Sequence, residues 1–171
     1  MIPAPRPQQI LRPVTSGLIV VTILSALLAN LIPLSTGATD LRPDFCALIL
    51  VYWGIEQPRR VGFTLAFMLG LLVDLSDGSV FGQHALAYVV LYFAAIALHR
   101  RVLNFGFLGQ GLHVFPLLLG AELIMVATRI LAGDEPPPAT HFLGTVISAV
   151  LWIPLCVLLR LPRLPKTRSD L

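Results

Sequence analysis

From Val14 to Leu161 the chain is one apolar segment after another, separated only by short polar breaks. Two of these segments, Val14–Leu34 and Leu112–Ala132, run for 21 residues each. An apolar helix of that length matches the hydrocarbon thickness of a bilayer. Only 12% of the 171 residues are charged, about half the share of an average soluble domain, and mean hydropathy is +0.84. A soluble domain of this size has too little interior to hide that much apolar surface. The pattern specifies an all-α integral membrane protein with one membrane domain over 14–161.

Residues 1–13, with four prolines and Arg6 and Arg12, read as a short basic cytoplasmic arm. Val14–Leu34 exceeds the apolar core of a cleaved signal peptide and lacks an A-x-A site, so it reads as a retained first span. Pro43–Gln57 and Val61–Val73 are short. As a helix, Pro43–Gln57 reaches only about 22 Å. Two thin spans fit the loop charges better than a re-entrant hairpin, which would hold Arg59 and Arg60 at mid-membrane. Ala85–Leu98 makes a fourth helix, Val102–Gly111 a connector, Leu112–Ala132 a fifth span and Phe142–Leu161 a sixth. The Pro-rich stretch 133–141 must be a loop, and 162–171 is a basic cytoplasmic tail.

The basic residues fix the orientation. Arg6, Arg12, Arg59, Arg60, Arg100, Arg101, Arg160, Arg163, Lys166 and Arg168 fall on one side, against Arg42 alone on the other. Such an asymmetry places both termini in the cytoplasm. It also accounts for the net charge of +3 without nucleic acid, because no basic stripe carries interleaved aromatics. The acids Asp40, Asp44, Asp74, Asp77, Asp134 and Glu135 then gather on the outer side. Cys46 and Cys156 lie in apolar runs with no CxxC or CxxH neighbour and read as buried thiols.

The stretch Gly70–Gly82, GLLVDLSDGSVFG, is the most distinctive. Gly70, Asp74, Gly78 and Gly82 recur every four residues, but Gly and Asp fill helices poorly. The expectation is a helix through about Asp74 followed by a Gly-permitted turn. Gly70 suits close helix packing in lipid, and Gly78 and Gly82 suit the turn. Arg42-Pro43-Asp44 opens the second helix, with Pro in its first turn and the acid near the positive helix end. A cluster of Arg42 with Asp74 or Asp44 would lock the outer ends of helices two and three.

Glu122 falls near the middle of the fifth span, and Arg129 lies two turns further on the same face, about 10 Å along the axis. They cannot pair with each other, so each needs a partner elsewhere in the bundle or on another chain. No GxSxG, HExxH or P-loop pattern and no histidine pair with metal spacing is present. No residue stands out as catalytic, cofactor-binding or metal-binding.

The combination of Arg42-Pro43-Asp44, an apolar run ending Tyr52-Trp53, and Gly70-x-x-x-Asp74-x-x-x-Gly78-x-x-x-Gly82-Gln83-His84-Ala85 resembles the MreD family of rod shape-determining membrane proteins. The resemblance covers the whole chain in length and layout, and it is most specific in the Gly–Asp stretch. It implies a non-enzymatic component of the bacterial elongation complex in the inner membrane, with no cofactor. The implied fold is a six-helix one similar to the substrate-binding subunits of energy-coupling vitamin transporters. The implied partners are MreC directly, and MreB filaments and lateral peptidoglycan synthases through it. A solute-binding transporter subunit is the alternative, but it needs convergent polar groups inside the bundle. Polar residues within the spans are few, chiefly Thr64, Glu122, Thr145 and Ser148, which favours the scaffold.

Overall fold

The computed structural model describes residues 14–32 and 41–163. The N-terminal arm, Asp40 with the turn around it, and the tail from 164 lie outside the described residues. Six helices form: α1 (Ser16–Leu31), α2 (Phe45–Glu56), α3 (Phe63–Asp77), α4 (Gln83–Leu103), α5 (Phe107–Leu131) and α6 (Leu143–Arg160). A 3-10 turn, Ala139–Phe142, precedes α6, and another, Leu161–Arg163, follows it.

Helix α2 is the centre of the bundle. Every residue from Cys46 to Ile55 is buried, which explains why this segment is apolar on all sides rather than amphipathic. It packs on α1, α4, α5 and α6. Tyr52 meets Trp53 edge-on at 5.0 Å and Trp152 of α6 at 6.1 Å. The Trp53 indole N–H donates to Thr22 Oγ1 of α1 at 3.0 Å, a satisfied polar contact between buried groups. Cys46 and Cys156 are free and buried.

The other helices are apolar around the bundle with one inward stripe. In α5 the buried residues are Gln110, Gly111, Val114, Leu118, Ala121 and Met125. In α6 they are Gly144, Thr145, Ser148, Trp152, Cys156 and Leu159. Both sets keep the helical repeat, and the outward side chains between them are mostly aliphatic. Thr64, counted among the polar residues within the spans, faces outward. Helix α4 lies between α3, α2 and α5.

Among the described residues, three helical stretches are long and apolar enough to cross a membrane by length and composition: Gln83–Leu103, Phe107–Leu131 and Ala139–Arg160. Helices α1 and α2 are shorter apolar helices. With 12 residues, α2 reaches about 18 Å.

Several boundaries differ from expectation, each for a local reason. Helix α3 runs past Asp74 to Asp77 and stops at Gly78, whose left-handed φ of 61° forms the C-cap. The expected connector 102–111 is mostly helix. Only 104–106 separate α4 from α5, because Gly109 and Gly111 stay helical beneath Phe105 and Trp152. Pro43 sits just before the cap residue Asp44 rather than in the first turn of α2.

Candidate functional site

The polar residues converge at one end of the bundle, where α2 and α4 begin and α3 and α5 end. Two carboxylates organise it. Asp74, in the last turn of α3, has a fully buried side chain. Its Oδ1 accepts from the His84 backbone N–H at 2.9 Å and from Ser79 Oγ at 3.1 Å, and contacts His84 Nδ1 at 2.8 Å. Its Oδ2 accepts from the Gly82 N–H at 2.9 Å. One side chain at the C-terminus of α3 thus satisfies the orphan donors opening α4, where helix dipole and hydrogen bonding both favour an anion. Gly82, with φ 94°, turns its N–H toward the carboxylate. Gly70 lets the α4 backbone come close enough.

Asp44 is the second carboxylate. It caps α2 by accepting from the Ala47 N–H at 2.9 Å. It also accepts from Asn30 Nδ2 of α1 at 3.1 Å, and the Tyr88 hydroxyl of α4 reaches its two oxygens at 2.8 and 2.9 Å. Asn30 Oδ1 takes the Phe45 N–H, and Ser148 Oγ of α6 takes the Asp44 N–H. Four helices are therefore pinned at the start of α2. Tyr88→Phe is expected to lower stability by about 1.5–3 kcal/mol, the worth of a buried hydrogen bond to a charged group. Thermal unfolding in detergent measures it, and an unchanged midpoint would mean Asp44 is sufficiently held without Tyr88.

Arg42 lies 3.7 Å from Asp77, not against Asp74 or Asp44. The contact joining the start of α2 to the end of α3 is thus made by Asp77, not by the expected Asp74 or Asp44. Asp74 and Asp44 are already filled with backbone and neutral donors, whereas the half-exposed Asp77 at the end of α3 retains acceptor capacity. Asp77 was expected in an exposed turn and is instead the last residue of α3.

Glu122 and Arg129 each find a partner within the chain. Glu122 Oε1 is 2.6 Å from His141 Nε2 in the 3-10 turn before α6. Arg129 Nε donates to Gln83 Oε1 of α4 at 3.1 Å. Both turn toward the bundle interior, since lipid solvates neither charge. In α5 as observed, Glu122 lies about 14 Å from the C-terminal end and within about 5 Å of the helix midpoint, near the middle of the span as expected. Between these groups opens a cavity of about 380 Å³, lined by Asn30 of α1, the adjoining ends of α2, α3 and α4, α5 from Glu122 to Arg129, and His141. Of the few polar residues within the spans only Glu122 lines it, and the other charged groups of its lining come from helix ends.

Sequence reasoning missed Asn30, Gln83, Tyr88 and the role of His84, since a single polar residue in an apolar run carries no periodic signal. It also missed the lock at the opposite end, where Arg160 Nη2 meets Glu56 Oε1 at 2.8 Å and the guanidinium stacks 4.7 Å from the Phe107 ring. There Arg160 joins α6 to α2 and α5, beyond its part in the charge asymmetry.

The sequence matches the family model of the rod shape-determining protein MreD over residues 12–161, all six helices included. The rod shape-determining protein MreD of Haemophilus influenzae is 28% identical over 143 residues, covering 81% of this chain and 88% of that protein. No solved structure matches. An apolar six-helix chain, its Gly–Asp junction between α3 and α4, and a family match spanning both lead to one conclusion: this is a member of the MreD family of rod shape-determining proteins.

Proposed function

We propose that this chain is a non-enzymatic scaffold of the rod elongation machinery, its six-helix domain over 14–161 holding MreC and, through it, MreB filaments and lateral wall synthases. Family membership supplies the role in rod shape determination, and the chain is a multi-pass protein of the bacterial inner membrane. The observation that carries the scaffold reading is the shortness of the connections. With 104–106 between α4 and α5 and 78–82 between α3 and α4, no loop in the described residues is large enough to form a domain. The extensive surfaces left for a partner are the sides of the bundle, where Val21, Leu24 and Leu28 of α1 and Phe67, Met68 and Leu72 of α3 point outward.

A bitopic partner offers a matching single helix, and short side chains or aliphatic ridges are what helix pairs use in lipid. The arginine-rich end, with Arg59, Arg60, Arg100 and Arg101, is assigned to the cytoplasm by the basic-residue asymmetry, and with it both termini. A substrate-binding-subunit-like fold is part of the same reading. The family match supports the scaffold over the transporter subunit.

Tagged purification from native membranes in mild detergent, with mass spectrometry of what co-purifies, tests this. Recovery of MreC and wall-synthesis proteins is expected. Recovery of an ATPase pair with a coupling subunit would instead make the chain a transporter component. In the same assay Glu122→Leu should leave expression intact and reduce MreC recovery about 2- to 10-fold. It frees the turn carrying His141 from α5 at the cost of one hydrogen bond. Unchanged recovery would move the contact away from the outer part of α5.

A further inference from the structure

The cavity at the polar end is larger than structural locking requires. At about 380 Å³ it lies within the size range of small-molecule sites. Its lining brings together two guanidinium groups, Arg42 and Arg129, and three carboxylates, Asp44, Asp77 and Glu122.

These groups are unequally satisfied. Asp44 receives three donors and Glu122 meets His141. Arg42 Nη2 is buried and has no hydrogen-bond partner. Arg129 uses Nε on Gln83, and no carboxylate among the described residues pairs with its guanidinium. A buried guanidinium nitrogen without an acceptor, as at Arg42, is costly, and Arg42 and Arg129 together bring two guanidinium forks to the lining of one cavity, a pair that matches an oxyanion.

The charge count then narrows the class. With the histidines neutral, the lining carries one more negative than positive charge, so a simple anion is opposed by Asp77 and Glu122. A ligand that carries its own cation beside the oxyanion meets both. We infer that this cavity binds a small zwitterion, its carboxylate or phosphodiester held by Arg42 and Arg129 and its ammonium turned toward Asp77 and Glu122. The narrow recess beside it, reaching Leu118 and Thr145, takes no more than a short apolar extension.

Two sources share that chemistry, a free amino acid and a phospholipid headgroup. The full chain, purified in a non-ionic detergent, is titrated with millimolar L-alanine and separately with glycerophosphoethanolamine while thermal unfolding is followed. A dose-dependent rise in the unfolding midpoint with either probe is expected. The alanine arm identifies a free solute and the glycerophosphoethanolamine arm a lipid headgroup.

Arg129→Gln should weaken the response about 10- to 100-fold, the loss of a charge-assisted hydrogen bond. Val126 lines the cavity without contributing charge. Val126→Trp fills the space, keeps both arginines, and should abolish the response even if Arg129→Gln proves unstable. No midpoint shift with either probe, or a shift that Val126→Trp leaves intact, overturns the proposal. A scaffold that fails to recover MreC leaves this result untouched, since the titration uses no partner.

Discussion

Asp74→Ala is expected to cost about 3–5 kcal/mol, the scale seen when one side of a buried charged network is deleted. The carboxylate is fully buried and accepts from Gly82, His84 and Ser79. Without it the opening N–H groups of α4 face a dry interior, each unmet donor adding about 1–3 kcal/mol. Asp77→Ala removes only a 3.7 Å ion pair at the half-exposed edge of the bundle, worth about 0–1 kcal/mol. Asp74→Asn separates charge from geometry. Both oxygens of Asp74 accept from backbone N–H groups, so an amide can meet one and must present a donor to the other. Its effect should fall between Asp77→Ala and Asp74→Ala. Thermal unfolding in detergent and complementation of a shape-defective strain both read this ranking. Equal, full rescue of rod shape by Asp74→Ala and Asp77→Ala would remove Asp74 from the centre of the fold.

How much of this was legible in the sequence depended on whether a signal was periodic, punctuated or solitary. Helices α5 and α6 followed from long apolar runs, and their inward stripes follow the helical repeat. A turn at Gly78 and Gly82 was legible from the two glycines, which take positive φ, but its start, expected at Asp74, lies after Asp77. Pairings across the bundle were not legible. Arg42 has Asp40 and Asp44 beside it in sequence, yet the filling of Asp44 and Asp74 by other donors leaves it to the distant Asp77. Tyr88 reaches Asp44 across 44 positions, and Arg160 reaches Glu56 across 104. No local rule spans such separations. The cavity was hidden for a related reason: apart from Glu122 within α5, its charged groups come from helix ends, each of which alone reads as a cap or an interfacial flank.

Gly70→Ala should be destabilising, although it adds only one methyl group. A Cβ at Gly70 would stand 2.4 Å from Ala85 Cα, 2.5 Å from Ala85 N and 2.6 Å from the His84 carbonyl carbon. These are backbone atoms, so no rotamer change relieves the overlap and α3 and α4 must separate. Overpacking of this kind costs about 1–3 kcal/mol, partly offset by the roughly 1 kcal/mol that Ala gains over Gly in a helix. Because the obstacle is backbone, Ala85→Gly should fail to rescue it, whereas a side-chain clash would be relieved. The separation also draws the His84 N–H away from Asp74, so the two sites act on one set of hydrogen bonds. Combining Gly70→Ala with Asp74→Asn should therefore cost less than the sum of the single changes, with a coupling of about 0.5–3 kcal/mol. Strict additivity in the unfolding free energies, or rescue by Ala85→Gly, would mean that close approach at Gly70 does not set the geometry in which Asp74 receives α4. If the coupling is found, the four-residue spacing of Gly70 and Asp74 has a single physical meaning. The glycine admits the backbone of α4, and the carboxylate one turn later binds its N-terminus.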